Sequence, residues 1–283
     1  MGDAVVTGVG LHSGAAVRVV LHARPGAVTL GRDGVEARVD ELAVSSTPRA
    51  TTVEARGGRL RVATVEHLFA ALAGLGVYEG LAVVVDGPEM PLLDGGALAW
   101  CGAIDEALGP GSTRRAGRRP LRVARAAELS IGASRYVFEP GAAPGAVEVA
   151  VRLEFEGLDE ARVLPEARWD GGADDFRARV APARTFALAR DVGELVAAGL
   201  ARHVDPMSVV VLTPDAVHHA GRAFEPDEPA RHKLLDLLGD LYVHGGPPRG
   251  SVRAVRPGHA ANARAMEQAL AEGIVVVDGR EHD

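Results

Sequence analysis

The 283 residues carry 31 Lys and Arg against 38 Asp and Glu, a formal charge of −7, which argues against a nucleic-acid binder that works by displacing phosphate counterions. Hydrophobic residues make up 47% of the chain, enough for a full core, and at roughly 150 residues per domain the length predicts two domains or one large one. No apolar run approaches the about 18 residues of a membrane span, and the single cysteine, Cys101, permits no internal disulfide, as suits a reducing cytoplasm.

The N-terminus lacks a charged region followed by an apolar one, so no signal peptide is expected, and Val6 breaks the myristoylation pattern that Met1-Gly2 begins. Val- and Leu-rich runs at 17–21 and 81–85 read as strands. Between them, 64–76 (TVEHLFAALAGLG) reads as a helix, with Thr64 as N-cap, Gly74 and Gly76 as stop signals, and Leu68, Phe69, Leu72 and Leu75 as its apolar stripe. The basic run 114–125 (RRAGRRPLRVAR) is broken by Gly117 and Pro120 and reads as a solvated linker between a first domain, 1–113, and a second, 126–283. Beyond it, 148–155, 209–212 and 252–255 read as strands and 191–200 as a short helix. Residues 228–242 make a strong helix, and 262–272 a final helix capped by Asn262. Each half thus sets a histidine near the start of a Leu-rich helix, Glu66-His67-Leu68 and then His232-Lys233-Leu234. This weak pseudo-repeat suggests two similar α+β layers that share a cleft.

Lys233 is the only lysine and Asn262 the only asparagine in a chain that otherwise favours Arg and Ala. A lone lysine beside a histidine suggests a place where a guanidinium would not serve, although chance survival explains it equally well. At 100° per residue, with His232 at zero, Asp236 falls near 40°, Asp240 near 80° and Lys233 near 100°, and leucines fill the rest of the helix. An amphipathic helix with a solvated face is the ordinary reading of such a stripe. His and Asp at i and i+4 also chelate one cation, and catalytic zinc takes three protein ligands and keeps a fourth position open.

His67 beside Glu66 would supply a third ligand and a general base. Neither His-Glu-x-x-His nor His-x-x-Glu-His fits the segment, which by itself favours a capping or core histidine. His259, after Pro257-Gly258, lies between a strand and a helix, where an imidazole could stabilise an oxyanion or protonate a leaving amine. A surface loop histidine is the plainer reading.

Six segments in order, 7–14 (TGVGLHSG), 64–77 (TVEHLFAALAGLGV), 89–95 (EMPLLDG), 183–186 (ARTF), 227–242 (DEPARHKLLDLLGDLY) and 258–262 (GHAAN), span nearly the whole chain. Together they resemble the bacterial UDP-3-O-acyl-N-acetylglucosamine deacetylases. The resemblance implies an α+β fold of two similar layered α/β sandwich domains with the active site between them. It implies a zinc-dependent hydrolase (amidohydrolase) of lipid A biosynthesis that removes the N-acetyl group of a UDP-linked, 3-O-acylated N-acetylglucosamine. Its metal ligands map to His67, His232 and Asp236, its general base to Glu66, and its catalytic histidine to His259, oriented by Asp240. Thr185 matches a hydroxyl that polarises the amide carbonyl, Lys233 a substrate-contacting lysine, and Phe186 a residue lining the site. Inserted elements are expected near 154–170 and near 187–214; the second, with Leu195 and Met207, would line an apolar passage for the acyl chain. Iron(II) suits the same nitrogen and oxygen donors. The expected protein is a cytoplasmic monomer with no nucleic-acid partner and at most peripheral membrane contact.

The chain departs from the family pattern at Tyr78-Glu79, at Glu156-Gly157 and at 202–208, which leaves the preferred acyl length and some nucleotide contacts open. A divergent paralogue acting on another amino sugar, or a non-catalytic sugar-nucleotide binder of the same fold, are the rival readings.

Overall fold

The computed structural model describes residues 2–46, 49–111, 120–154, 162–197 and 204–278, without the side chains of 46 and 194–197. The chain opens with β1 (Ala4–Val9), β2 (Ala16–Ala27), β3 (Thr29–Arg32) and β4 (Val35–Arg38). Three short strands follow, β5 (Ala43–Ser46), β6 (Thr52–Glu54) and β7 (Arg61–Val62), which form a small sheet of their own. Then come α1 (Glu66–Leu75), β8 (Glu79–Asp86) and α2 (Leu98–Leu108). Within the expected linker, β9 (Leu121–Val123) is a strand, and 112–119 lie outside the described residues.

The second half repeats the plan. It runs β10 (Ala127–Ile131), β11 (Ser134–Glu139), β12 (Val147–Arg152) and β13 (Glu166–Trp169), then a single turn α3 (Ala173–Asp175). Next come β14 (Thr185–Leu188), α4 (Ala189–Ala197), β15 (Val209–Leu212) and β16 (Val217–His218). The closing elements are α5 (Glu228–Val243), β17 (Gly250–Val255), α6 (His259–Ala271) and β18 (Val275–Val277), the last paired antiparallel with β9.

The two five-stranded sheets have orders β1-β2-β8-β3-β4 and β10-β11-β17-β12-β13. In each, the strand after the long helix pairs parallel with the third strand of its half, and every other pairing is antiparallel. The histidine pseudo-repeat therefore marks a duplicated strand plan. A three-stranded sheet interrupts each half before its long helix: β5-β6-β7 in the first and β14-β15-β16 in the second. The segment near 154–170, where an insert is expected, instead provides β13, an integral edge strand, and 155–161 lie outside the described residues.

α1 is buried at all ten positions. A helix apolar around its whole circumference must be covered on every side, and here α5 and α2 flank it. Gly76 ends it in the left-handed conformation, φ 66°, as the stop signal predicted. Its start differs from expectation. Thr64 takes φ 57° and donates its hydroxyl to Glu89 Oε2 at 3.0 Å, so it is not the cap, which falls at Val65 without a side-chain bond. α6 begins at His259 with Gly258 as its cap, so Asn262 lies inside the helix and its side chain is free for other work.

One continuous core joins α1, α2 and α5 to the inner faces of both large sheets. The β14-β15-β16 layer has a separate small cluster of Val163, Val210 and Leu212, with Phe186, Leu188, Val217 and Phe224 packed on it.

Candidate active site

The leucines of α5 enter the core, but the polar stripe beside them is not solvated. His232, Asp236 and Asp240 are each 3% exposed or less, and Lys233 alone is half-buried. The stripe faces the start of α1, where Glu66 and His67 occupy the first turn, both buried. Contact between the helices is close because residue 239 is glycine: a Cβ there would meet the backbone of Glu66.

His67 Nε2 lies 3.8 Å and His232 Nε2 3.5 Å from Asp236 Oδ1. One donor atom from each of the three residues falls within 4.8 Å of the others. The protonation states suit a cation. Burial, helped by the neighbouring His232, pushes the His67 imidazole down to about 4, and burial lowers His232 as well, so both rings are neutral. His232 Nδ1 sits 3.0 Å from the Ala183 carbonyl, which can only accept, so that nitrogen carries the proton and Nε2 presents a lone pair. Burial works against ionisation of Asp236, but Lys233 and the protonated His259 overcome it and hold the carboxyl below the ordinary range. Two neutral imidazoles and one carboxylate, all buried, are the donor set that a catalytic zinc takes. Lys233 Nζ contacts the other Asp236 oxygen, Oδ2, at 2.8 Å.

The groups for proton transfer surround this cluster. Burial pushes the Glu66 carboxyl up to about 7 against the charge of His259. His259 Nδ1 lies 3.0 Å from Asp240 Oδ2, leaving Nε2 directed inward, 3.9 Å from Asp236 Oδ2. Burial opposes the charged form of His259, yet Asp240, Asp236 and the Asp240 hydrogen bond raise it to about 9. The residue expected in a loop is thus the first residue of α6.

Phe186 adjoins the cluster, its ring 6.2 Å from that of His232 and 5.7 Å from Lys233 Nζ. Thr185 begins β14, half-buried, with its N–H donated to Gly95 at 2.8 Å, two residues past the carbonyl that holds His232. Met207 is 57% exposed on the turn Pro206–Ser208, against Gly221. Leu195 belongs to α4, but its side chain lies outside the described residues.

Sequence reasoning assigned no role to Thr51, Tyr136, Asp94 or His12. Thr51 and Tyr136 hydrogen-bond into the site and had no local signal. Asp94 and His12 lie within two of the six family segments. Asp94 Oδ1 and His12 Nε2 are buried with no hydrogen-bond partner among the described residues, and that burial raises the Asp94 carboxyl and lowers the His12 imidazole.

The family described as UDP-3-O-acyl N-acetylglycosamine deacetylase matches residues 2–271. A UDP-3-O-acyl-N-acetylglucosamine deacetylase of Phenylobacterium zucineum (strain HLK1) is 36% identical over 278 residues, covering 95% of this chain and 90% of its own. One of Anaeromyxobacter sp. (strain Fw109-5) is 36% identical, covering 94% and 86%. One of Neisseria gonorrhoeae (strain ATCC 700825 / FA 1090) is 29% identical, covering 94% and 87%.

Proposed function

The chain belongs to the UDP-3-O-acyl N-acetylglycosamine deacetylase family, and from that premise we propose that it hydrolyses the N-acetyl group of UDP-3-O-acyl-N-acetylglucosamine in lipid A biosynthesis. The products are acetate and the free amino sugar nucleotide. One observation supports the reading: a buried trio able to hold a metal ion, His67, His232 and Asp236, adjoins a carboxylate, Glu66, and a carboxylate-held imidazole, His259.

We assign zinc to the trio, with iron(II) suited to the same donors. When bound, such an ion lowers the pKa of a coordinated water and polarises the amide carbonyl. Glu66 accepts the proton that the water loses as its oxygen attacks the carbonyl carbon. The C–N bond then breaks, and His259 Nε2 delivers a proton to the departing nitrogen while Asp240 holds Nδ1. The hydroxyl of Thr185 supports the carbonyl oxygen. Lys233 offers a compact ammonium to the substrate, and Phe186 offers an apolar wall.

Duplication of the strand order supports two domains, 1–113 and 126–283, joined by 114–125 with the site between them. Residues 187–214 are assigned to the acyl chain. A nucleotide-linked substrate and a single thiol suit action in the cytoplasm, and among the described residues no helix is long and apolar enough to cross a membrane.

The test is acetate release by the zinc-loaded protein from the UDP-linked, 3-O-acylated substrate. Turnover that disappears on chelation and returns with zinc is expected. Zinc-loaded protein that binds the substrate without releasing acetate would leave only a sugar-nucleotide binder.

A further inference from the structure

Asp240, 2% exposed, is held from three directions. Thr51 Oγ1 donates to its Oδ1 at 2.5 Å, Asn262 Nδ2 donates to its Oδ2 at 2.7 Å, and His259 Nδ1 shares Oδ2 at 3.0 Å. A carboxylate can turn about its last bond and exchange its oxygens; donors fixed on both sides select one orientation. Asn262, the only asparagine in the chain, has an amide that could face either way. Asp240 decides it. A carboxylate only accepts, so the amide NH2 must point at Asp240, and Asn262 Oδ1 is left to accept the buried Tyr136 phenol at 2.6 Å.

Thr51 also reaches the opposite side of the site. Its N–H donates to Glu66 Oε2 at 2.9 Å, and its carbonyl accepts the N–H of Val65 at 3.2 Å. A single residue, 1% exposed, therefore has every polar group committed: two to the start of α1 and one to α5. The two carboxylates it touches are the proposed base and the carboxylate that aims the proposed acid.

We propose that Thr51 and Asn262 are positioning residues for the deacetylation: the Thr51 N–H fixes Glu66, while the Thr51 hydroxyl and the Asn262 amide fix Asp240 so that it aims His259. This inference rests on the roles proposed above for Glu66 and His259. A purely structural Thr51 would only tie the β6 segment to the helices, and the two cases predict different couplings.

Thr51→Val removes the hydroxyl and keeps the N–H and the side-chain shape. Outer partners of this kind typically contribute roughly 10–100-fold in activity. We expect kcat to fall by about that factor, with KM and metal content retained and Thr51→Ser recovering most of the loss. In a His259→Ala background, Thr51→Val should cost little more, because residues that act as a unit are not additive. An unchanged kcat, or the same fold loss in the His259→Ala background, would overturn the proposal. A second readout is independent of turnover: in protein carrying 15N-histidine, the Nδ1 proton resonance of His259 should weaken or vanish in Thr51→Val. If that resonance persists unchanged, the hold on Asp240 is refuted. Wild-type protein that releases no acetate would instead refute the functional reading, and the resonance would still report on the positioning. Should Thr51→Val fail to fold, Asn262→Ala carries the same expectations and the same refutations.

Discussion

Gly239 of α5 and Glu66 of α1 meet backbone to backbone: a Cβ at residue 239 would lie 2.0 Å from the Glu66 carbonyl oxygen. Alanine is intrinsically better than glycine inside a helix by about 1 kcal/mol. Here the obstacle is backbone, which no side-chain rotation relieves, and overpacking of that kind costs about 1–3 kcal/mol or more. The contact outweighs the propensity. Gly239→Ala should lower the melting temperature and, by separating His67 from Asp236, reduce bound metal. Thermal unfolding and metal analysis of the purified variant read both effects. Full metal occupancy at wild-type stability would show that the close crossing is dispensable.

Ligand and base separate by substitution. His232→Ala should lose metal and turnover together. Glu66→Ala should keep its metal and lose most turnover, because general-base catalysis contributes roughly 10²–10⁴-fold. Metal-to-protein ratios measured beside acetate release decide between them. A Glu66→Ala protein that lost metal but kept turnover would exchange the two assignments.

Stability at acid pH should depend on Glu228. This carboxylate is 1% exposed and takes a two-oxygen clasp from Arg184, at 2.8 and 3.0 Å, and a further bond from Arg222 at 2.7 Å. Burial opposes its charge, but the Arg184 bonds prevail and hold it below the ordinary carboxylate range. Its contribution is therefore present above the unfolded value, about 4.3 for glutamate, and is lost as pH falls through the lower folded value. Glu228→Gln should cost on the order of 3 kcal/mol at pH 7 by leaving buried guanidinium charge uncompensated. The difference from wild type should shrink on acidification below about pH 4. Urea unfolding at both pH values measures it, and a gap that did not change with pH would clear Glu228.

The acyl chain should matter. A fatty chain gains about 0.8 kcal/mol per buried methylene, so the 3-O-acylated substrate should exceed plain UDP-N-acetylglucosamine in kcat/KM. Leu195→Asp should lose activity selectively on the acylated one. Equal efficiency on the two substrates, or an equal loss on both, would remove residues 187–214 from acyl recognition.

The half of the site on α5 was legible because helix geometry puts His232, Asp236 and Asp240 on one face whatever surrounds them. What sits opposite that face is a tertiary fact. His67 could be matched to it only through the six family segments. Thr51 is separated from Asp240 by 189 positions and Tyr136 from Asn262 by 126, so no local pattern relates them. The two misplaced caps have a common origin. Thr64 and Asn262 are residue types that cap helices, but Glu89 and Asp240 compete for their side chains. The resemblance placed both inserted elements in the second half, near 154–170 and near 187–214; the pairing of β12 with β13 shows that 166–169 belong to the main sheet, and the separate sheet β5-β6-β7 interrupts the first half, where no insert was expected.

The duplicated sheets leave each half with an incomplete share of the chemistry: Glu66 and His67 come from the first, His232, Asp236, Asp240 and His259 from the second. The N-terminal half alone offers one imidazole and one carboxylate at the site, too few for the three-ligand set proposed above, and one side of its buried helix α1 is covered by α5 of the other half. On the assignments proposed above, metal capture would wait for α5 and the proton donor for α6, so an N-terminal fragment made alone should bind no ion at this site.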